Sequence, residues 1–377
     1  MAEPFKNLIG AAIVREMAEH LRRVEPRFDS VRFAALARRG LDDLELKARV
    51  LHVSAALEAT LPSPFAAAAT VLERCLAPAR DDTDLSALQT SEQGLAGWAV
   101  WPMTDFVARC GLDAPERALR ALHALTQRFT AEYAIAPFLL RHPERTFATL
   151  RRWATDPSAH VRRLVSEGSR PRLPWGVHNK LLIADPTPTL PLLAMLQDDP
   201  SDYVRRSVAN HLNDIAKDHP GVVAAWLERH LPGASAQRRA LLQRASRTLI
   251  KRGDPRVLQA WGLGAPLRGS TSLRVSPPRA AVGGSVELTA TLRSTASRPQ
   301  RLVVDYAVHH VKANGATSPK VWKGWTIELL PREERELCKR HSLRAVTTRR
   351  YHAGRHAVDL LVNGRVVAQA AFELRAK

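Results

Sequence analysis

Cysteine is scarce in this chain: only Cys75, Cys110 and Cys338 occur among 377 residues. They are odd in number and far apart, with no C-x-x-C pair and no histidines at zinc-finger spacing, which argues against a disulfide framework and a zinc site. Reduced, non-catalytic thiols are expected. There is no G-x-x-x-x-G-K-[ST] loop and no G-x-G-x-x-G turn, so neither a nucleotide cofactor nor a metal is expected. No apolar run approaches the roughly 20 residues of a membrane span. The run from Leu8 to Val14 meets Arg15 and Glu16 at once and makes no convincing secretory signal. The expectation is therefore a soluble, cytoplasmic protein. Acidic residues are also in short supply, with 37 Asp and Glu against 56 Lys and Arg, a net charge of +19 and a pI near 10.8. That excess favours a polyanionic partner, either nucleic acid or an acidic membrane surface, and the lack of an amphipathic anchor weighs against the membrane.

What is present is a repeat. The pattern D-P-S-x-x-V-R-R-x-V falls at Asp156, Pro157, Ser158, Val161, Arg162, Arg163 and Val165, and again at Asp199, Pro200, Ser201, Val204, Arg205, Arg206 and Val208. The offset of 43 residues between Asp156 and Asp199 is the period of HEAT-like helical solenoids, in which two-helix units bury their apolar stripes against one another. Each Asp-Pro is read as a cap and first turn. Val161, Leu164, Val165 and Gly168 keep helical spacing, as do Val204, Val208, Leu212 and Ile215, so these positions face the core. Asp156, Arg162, Asp199 and Arg205 suit a structural ladder between repeats. That leaves Arg163 with Glu167, and Arg206 with Asn210 and Asp214, as two polar stripes roughly 8–10 Å apart on neighbouring helices. A third stripe is Arg128 with Glu132. Arg and Glu four apart are commonly a solvated ion pair, so spacing alone leaves chemistry at Glu167 and Asp214 open.

The remaining sequence frames this region. Residues 1 to about 80 are helical in pattern, with Asp42 and Glu45 resembling a capping box for the helix carrying Leu44, Ala48, Leu51 and Ala55. Arg80 to Gln93 reads as a loop, and Trp98, Trp101 and Phe106 as aromatic braces of the early repeats. GSRPRLPWG places Arg170, Arg172 and Trp175 on a proline-rich turn that ends the preceding helix. The Trp175 ring either anchors that loop or faces a ligand beside Glu167. After Gly264 the hydrophobic period changes to that of strands, with Asn363-Gly364 as a hairpin turn. The expected fold is an all-α HEAT-like helical solenoid over 1–264, followed by an all-β immunoglobulin-like sandwich over 265–377. From Leu273 to Lys377 there are 19 basic and 8 acidic residues, so more than half of the charge excess lies there. The clusters Lys339-Arg340 and Arg349-Arg350 are either a solvated face or a phosphate-contacting surface.

Three segments, RFTAEYAIAPFL, WATDPSAHVRRLVSEGSRPRLPWG and DDPSDYVRRSVANHLNDIAKDHP, resemble those of the AlkC family of DNA alkylation-repair glycosylases, some members of which carry a C-terminal immunoglobulin-like domain. The resemblance covers nearly the whole chain. It implies a monomeric enzyme of base excision repair that removes cationic alkylated bases, chiefly 3-methylcytosine and 3-methyladenine, from double-stranded DNA without enclosing a flipped base. It further implies functional roles for Glu132, Arg163, Glu167, Trp175 and Asp214. Under it, Glu167 and Asp214, with Glu132 as a third carboxylate, stabilise an oxocarbenium-like sugar and hold water. Trp175 offers its ring to a cationic centre. Arg163 lies at the lesion, while Arg206, Arg170, Arg172, Lys339, Arg340, Arg349 and Arg350 contact DNA. Without the resemblance, a non-enzymatic scaffold binding nucleic acid or an acidic protein fits the same pattern.

Overall fold

A computed structural model describes residues 5–80, 85–345 and 350–375. The chain divides into two compact units, Met1–Asp218 with Ser235–Ala245, and His219–Ala234 with Ser246–Lys377. In the first unit short helices follow one another from Ala11–Val24 onward and pack against one another. The repeat offset has its expected consequence: Val161, Leu164, Val165, Val204, Val208 and Leu212 are fully buried, because one apolar stripe per helix can leave water only against its neighbours.

The conserved spacing of charges builds a ladder between repeats. Arg162 donates from Nε and Nη2 to the two carboxylate oxygens of Asp199, at 2.6 and 3.0 Å. Its Nη1 meets the carbonyls of Asp156 and Pro157, each at 2.8 Å. Arg205 repeats this pattern on the carbonyls of Asp199 and Pro200. Asp156 in turn lies 2.8 Å from His123 Nε2 in the preceding repeat. A bidentate Arg–carboxylate pair fixes orientation as well as distance, so the ladder sets the stacking of successive units.

Three local expectations differ from the structure. Asp156 and Asp199 do not cap a first turn: each Oδ1 accepts the N–H two residues on, Ser158 and Ser201 at 2.8 Å. The helices then begin at Ala159 and Asp202, since a short acceptor that folds back on its own backbone makes a turn before the helix. The capping box at Asp42 and Glu45 does not form: Asp42 lies in a 3-10 turn, Leu41–Asp43, and the helix Leu46–Glu58 has no side-chain cap. Arg128 and Glu132 do not share a helix. One helix ends at Thr126 and the next opens at Glu132, while Arg128 donates to the carbonyls of Ala77 and Ala124.

In the second unit β1 (Gly269–Ser276), β2 (Arg279–Ala281), β3 (Ser285–Ser294), β4 (Gln300–Val311), β5 (Thr317–Leu329), β6 (Glu334–Ser342), β7 (Gly354–Val362) and β8 (Arg365–Arg375) form two sheets. Their orders are β1-β3-β6 and β2-β8-β7-β4-β5. Val275 and Val286 of the first sheet pack with Tyr306, Val358 and Phe372 of the second in one core, which makes a sandwich. β2 pairs parallel to β8, a short element too small to show in the hydrophobic pattern. Asn363 and Gly364, at φ 48° and 76°, make the hairpin between β7 and β8, whose two positive φ values suit this residue pair. Gly364 also has no room for a side chain, since a Cβ there would stand 2.3 Å from the Gly253 Cα.

Candidate active site

Glu132 opens the helix Glu132–Arg141, where an acidic group suits the positive end of the helix dipole. Its Oε2 accepts from the Thr130 hydroxyl at 2.8 Å and pairs with Arg163 Nη1 at 2.5 Å. Arg163 comes from the helix Ala159–Glu167, also bonds Thr130 Oγ1 at 2.9 Å, and lies with its guanidinium 5.3 Å from the Tyr203 ring centre. One turn on, Glu167 Oε1 is 3.6 Å from Arg163 and 2.5 Å from Arg170 Nη1. Arg170 then reaches Asp214 through Nε at 2.8 Å and Nη2 at 2.7 Å, and Asp214 Oδ1 accepts from Lys217 at 2.7 Å. The result is one alternating chain of charge: Glu132, Arg163, Glu167, Arg170, Asp214, Lys217.

Local sequence explains how these groups meet. Gly168 sits where a Cβ would come within 2.8 Å of Ile135 Cγ1, so a bare backbone lets the end of one helix close on the helix that carries Glu132. Pro171 then stops the chain, leaving Arg170 in a buried turn behind Glu167. Asp214 stands on the helix Asp202–Asp218, and Ser207 of that helix donates to Glu167 Oε2 at 2.5 Å. Glu132, Glu167 and Asp214 are all buried, Asp214 to 1% exposure.

Buried carboxylates stay ionised only where cations and donors outweigh desolvation. For Glu167, burial pushes the pKa up, but Arg163, Arg170 and the Ser207 hydroxyl outweigh it and hold the carboxyl below its usual range. For Arg163, burial pulls the pKa down and the carboxylates of Glu132 and Glu167 more than restore it, so the guanidinium stays charged. His211, packed near the same groups with Nδ1 2.9 Å from the Ser166 carbonyl, is held neutral: burial lowers its pKa to about 4.

Beside this chain of charge lies a cleft of about 690 Å³, lined by Glu132, Arg163, Trp98, Trp101, Tyr133 and Trp175 among others. Trp101 and Tyr133 stack with ring centres 5.0 Å apart, and Trp98 lies 5.9 Å from Trp101. The aromatic braces thus hold to expectation at Trp101 and Phe106, 6% and 4% exposed, while Trp98 and Trp101 also form cleft wall. Trp175 is 63% exposed. Its carbonyl accepts from Lys47 Nζ at 3.2 Å, and its φ of 63° is an uncommon conformation for an aromatic residue. Trp175 is thus one of the residues lining the cleft, with its side chain largely open to solvent.

The candidate residues therefore separate into groups. Glu132, Arg163 and Trp175 meet at the cleft, with Glu167 and Asp214 joined to them through Arg163 and Arg170. Arg170, expected at a DNA phosphate, is instead 8% exposed and committed to two carboxylates. Arg172 makes a two-point pair with Asp218 at 2.7 and 2.8 Å. Arg206 is exposed, with Asp202 3.8 Å away, whereas Asp214 of the same stripe is joined to Glu167 through Arg170. Lys339 and Arg340 do not form one cluster, because successive residues of β6 point to opposite faces. Lys339 Nζ stands 6.0 Å from the Trp325 ring centre, and Arg340 Nε donates to Ser285 Oγ on the neighbouring strand. Arg350 is exposed, and Arg349 lies outside the described residues. Among the described residues no cluster of three or more His, Cys, Asp or Glu side chains suited to a metal occurs, and no helix is long and apolar enough to cross a membrane.

Sequence reasoning missed Thr130, Ser207, Tyr203 and Lys217. Lys217 stands three residues from Asp214 on one helix face, a signal present in the spacing. Ser207 carries none, since only the packing of two helices brings it to Glu167.

Residues 128–248 match a family model described as DNA alkylation repair enzyme, and residues 269–376 one described as the C-terminal Ig-like domain of the uncharacterised protein YhaZ. The chain is 35% identical to the uncharacterized protein YhaZ of Bacillus subtilis (strain 168) over 373 residues, 98% of this chain and 99% of that one. It is also similar to the solved structure of Pseudomonas fluorescens alkylpurine DNA glycosylase AlkC bound to DNA containing an abasic site analog. That likeness has a TM-score of 0.89 at 36% identity, over 99% of this chain and 100% of the other. Likeness of this extent covers the helical repeats and the sandwich alike, and the chain belongs to the AlkC family of DNA alkylation repair enzymes with a C-terminal immunoglobulin-like domain.

Proposed function

We infer that the protein is a DNA glycosylase that hydrolyses the N-glycosidic bond of cationic alkylated bases, 3-methylcytosine and 3-methyladenine, in double-stranded DNA. The observation that carries this reading is the row of three buried carboxylates, Glu132, Glu167 and Asp214, threaded together by Arg163 and Arg170, with Glu132 and Arg163 in the wall of an aromatic cleft. A base alkylated at N3 is already positively charged and leaves without a proton from an acid. Positive charge then grows on the sugar as an oxocarbenium-like centre, which fixed carboxylates stabilise while one of them holds the attacking water. Trp175 offers the face of its ring to the cationic base or sugar, worth about 0.5–2 kcal/mol. Neutral bases leave far more slowly, so selectivity arises from the leaving group and needs no closed pocket.

In this reading Arg170 is an internal cation that sets the spacing of Glu167 and Asp214, not a phosphate ligand. Phosphate contacts fall instead to side chains at the surface, among them Arg206, Arg340 and Arg350, whose exposure suits counterion release, while Arg172 reaches a phosphate only by giving up its pair with Asp218.

The test uses duplexes carrying one 3-methylcytosine or one 3-methyladenine. Base release by wild type is expected, with a loss of about 100-fold or more in Glu167→Ala and Asp214→Ala while DNA affinity stays within a few-fold. Absence of release by wild type on either lesion overturns the assignment and leaves a DNA-binding scaffold.

A further inference from the structure

The helices Ala11–Val24 and Ser30–Arg38 enclose an open groove of about 700 Å³ lined by Arg15, Ala18, Arg22, Val31, Ala34 and Arg38, among others. The proposed repair chemistry makes no use of it. On the first helix Ile13 and Glu16 line the aromatic cleft, whereas Arg15, Ala18 and Arg22 line the groove. Two positions along an α-helix turn about 200°, so the groove opens on the opposite side of that helix from the cleft.

The lining has two parts. Its floor is apolar and small, made by Ala18, Ala34, Ala35 and Val31, the last 80% exposed. Its rim holds four arginines, Arg15, Arg22, Arg23 and Arg38, against a single carboxylate, Glu19. Arg22 donates to the Phe28 carbonyl at 2.9 Å and Arg38 to that of Ala11 at 3.5 Å. Arg23 bonds the carbonyls of Glu92 and Gln93. Among the described residues none of the four is in a salt bridge, so the charge of all four is left to a partner, and three of the guanidinium groups, those of Arg22, Arg23 and Arg38, are oriented by backbone carbonyls.

From this arrangement we propose that the groove between helices Ala11–Val24 and Ser30–Arg38 docks an acidic, amphipathic helical segment of a partner protein. Charge complementarity selects the acidic partner, and the floor selects a segment with apolar anchors at helical spacing. A sugar-phosphate backbone carries no apolar side chain of the size of leucine to fill the space over Ala18, Ala34 and Val31, which favours a peptide over a second stretch of DNA. The spacing from Arg15 to Arg22 spans about 10 Å, two turns of a docked helix.

The probe is a labelled helical peptide of about ten residues, roughly 15 Å long, built from Glu and Leu with Leu on one face. Binding to the full chain is followed by fluorescence anisotropy. The expected result is salt-dependent binding, weakened tenfold or more by Arg15→Glu with Val31→Asp, and by Arg22→Glu with Arg38→Glu. Replacing the peptide leucines by alanine is expected to cost a similar factor. The first pair of substitutions changes only exposed side chains, so it remains informative if loss of the Arg22 bond to Phe28 disturbs the hairpin. Affinity for alkylated duplex and base release by these variants stay as in wild type, which separates failure at the groove from failure of the glycosylase reading. No binding, binding indifferent to both pairs, or displacement of the peptide by undamaged duplex DNA would each overturn the proposal.

Discussion

Replacing Arg170 by Met tests whether the buried chain of charge has the connectivity described. The substitution keeps a long apolar stem and removes three close contacts: Nη1 to Glu167 at 2.5 Å, and Nε and Nη2 to Asp214 at 2.8 and 2.7 Å. Removing one partner of a buried ion pair costs about 3–5 kcal/mol, because the other charge stays buried. Here each carboxylate keeps some compensation. Glu167 retains Ser207 at 2.5 Å and Arg163 at 3.6 Å, and Asp214 retains Lys217 at 2.7 Å. The lower end, about 3 kcal/mol, is therefore expected. For a body of 150–250 residues each kcal/mol shifts Tm by about 2–4 °C, so the fall near neutral pH is roughly 6–12 °C. The sign of the pH effect is also set. With Arg170 present Glu167 has a lowered pKa, so its ionised form contributes stability above the ordinary carboxylate range, and this is lost as pH falls through the lowered value. Without Arg170 the Glu167 carboxyl protonates more readily, and the gap between variant and wild type narrows as pH falls. Thermal unfolding of both proteins across a pH series measures this. A deficit below about 1 kcal/mol, or one that widens on acidification, would refute the reasoning.

Other expectations follow from the same geometry. Trp175→Gly should lose base release as Trp175→Ala does, yet be the more stable of the two by about 1 kcal/mol, because only Gly takes the observed φ of 63° without penalty; equal melting curves would contradict this. Gly168→Ala should cost about 1–3 kcal/mol through overpacking against Ile135 and slow base release by moving Glu167, both readable from urea midpoints and single-turnover assays. His211, which burial holds at a pKa of about 4, contributes stability that is complete above its ordinary value near 6.5 and lost as pH falls through about 4, at most about 3 kcal/mol. His211→Gln should therefore flatten the acid limb of the Tm profile, and an unchanged limb would show that His211 does not titrate there.

Local spacing sufficed for a large part of this protein. The offset between Asp156 and Asp199, the buried stripes through Val161 and Val204, and the Asn363-Gly364 hairpin all depend on backbone period and on which side chains avoid water. Those quantities are written residue by residue in the chain. The same spacing picked out Arg163, Glu167 and Asp214 as residues left over once the ladder was assigned. It failed where short-range alternatives compete, at Asp42 and at the aspartates before Ala159 and Asp202, because one acceptor serves a turn as readily as a helix.

Tertiary structure alone decided which charge meets which. Arg170 lies three residues from Glu167 but 44 from Asp214, and only the stacking of two repeats makes it the bridge between them. The approach of Ser207 to Glu167, the place of Trp175 at the cleft, and the separation of the arginine groove from that cleft have the same origin. Desolvation acts through space and takes no account of distance along the chain, so ionisation and partner choice became definite only once the helices had packed.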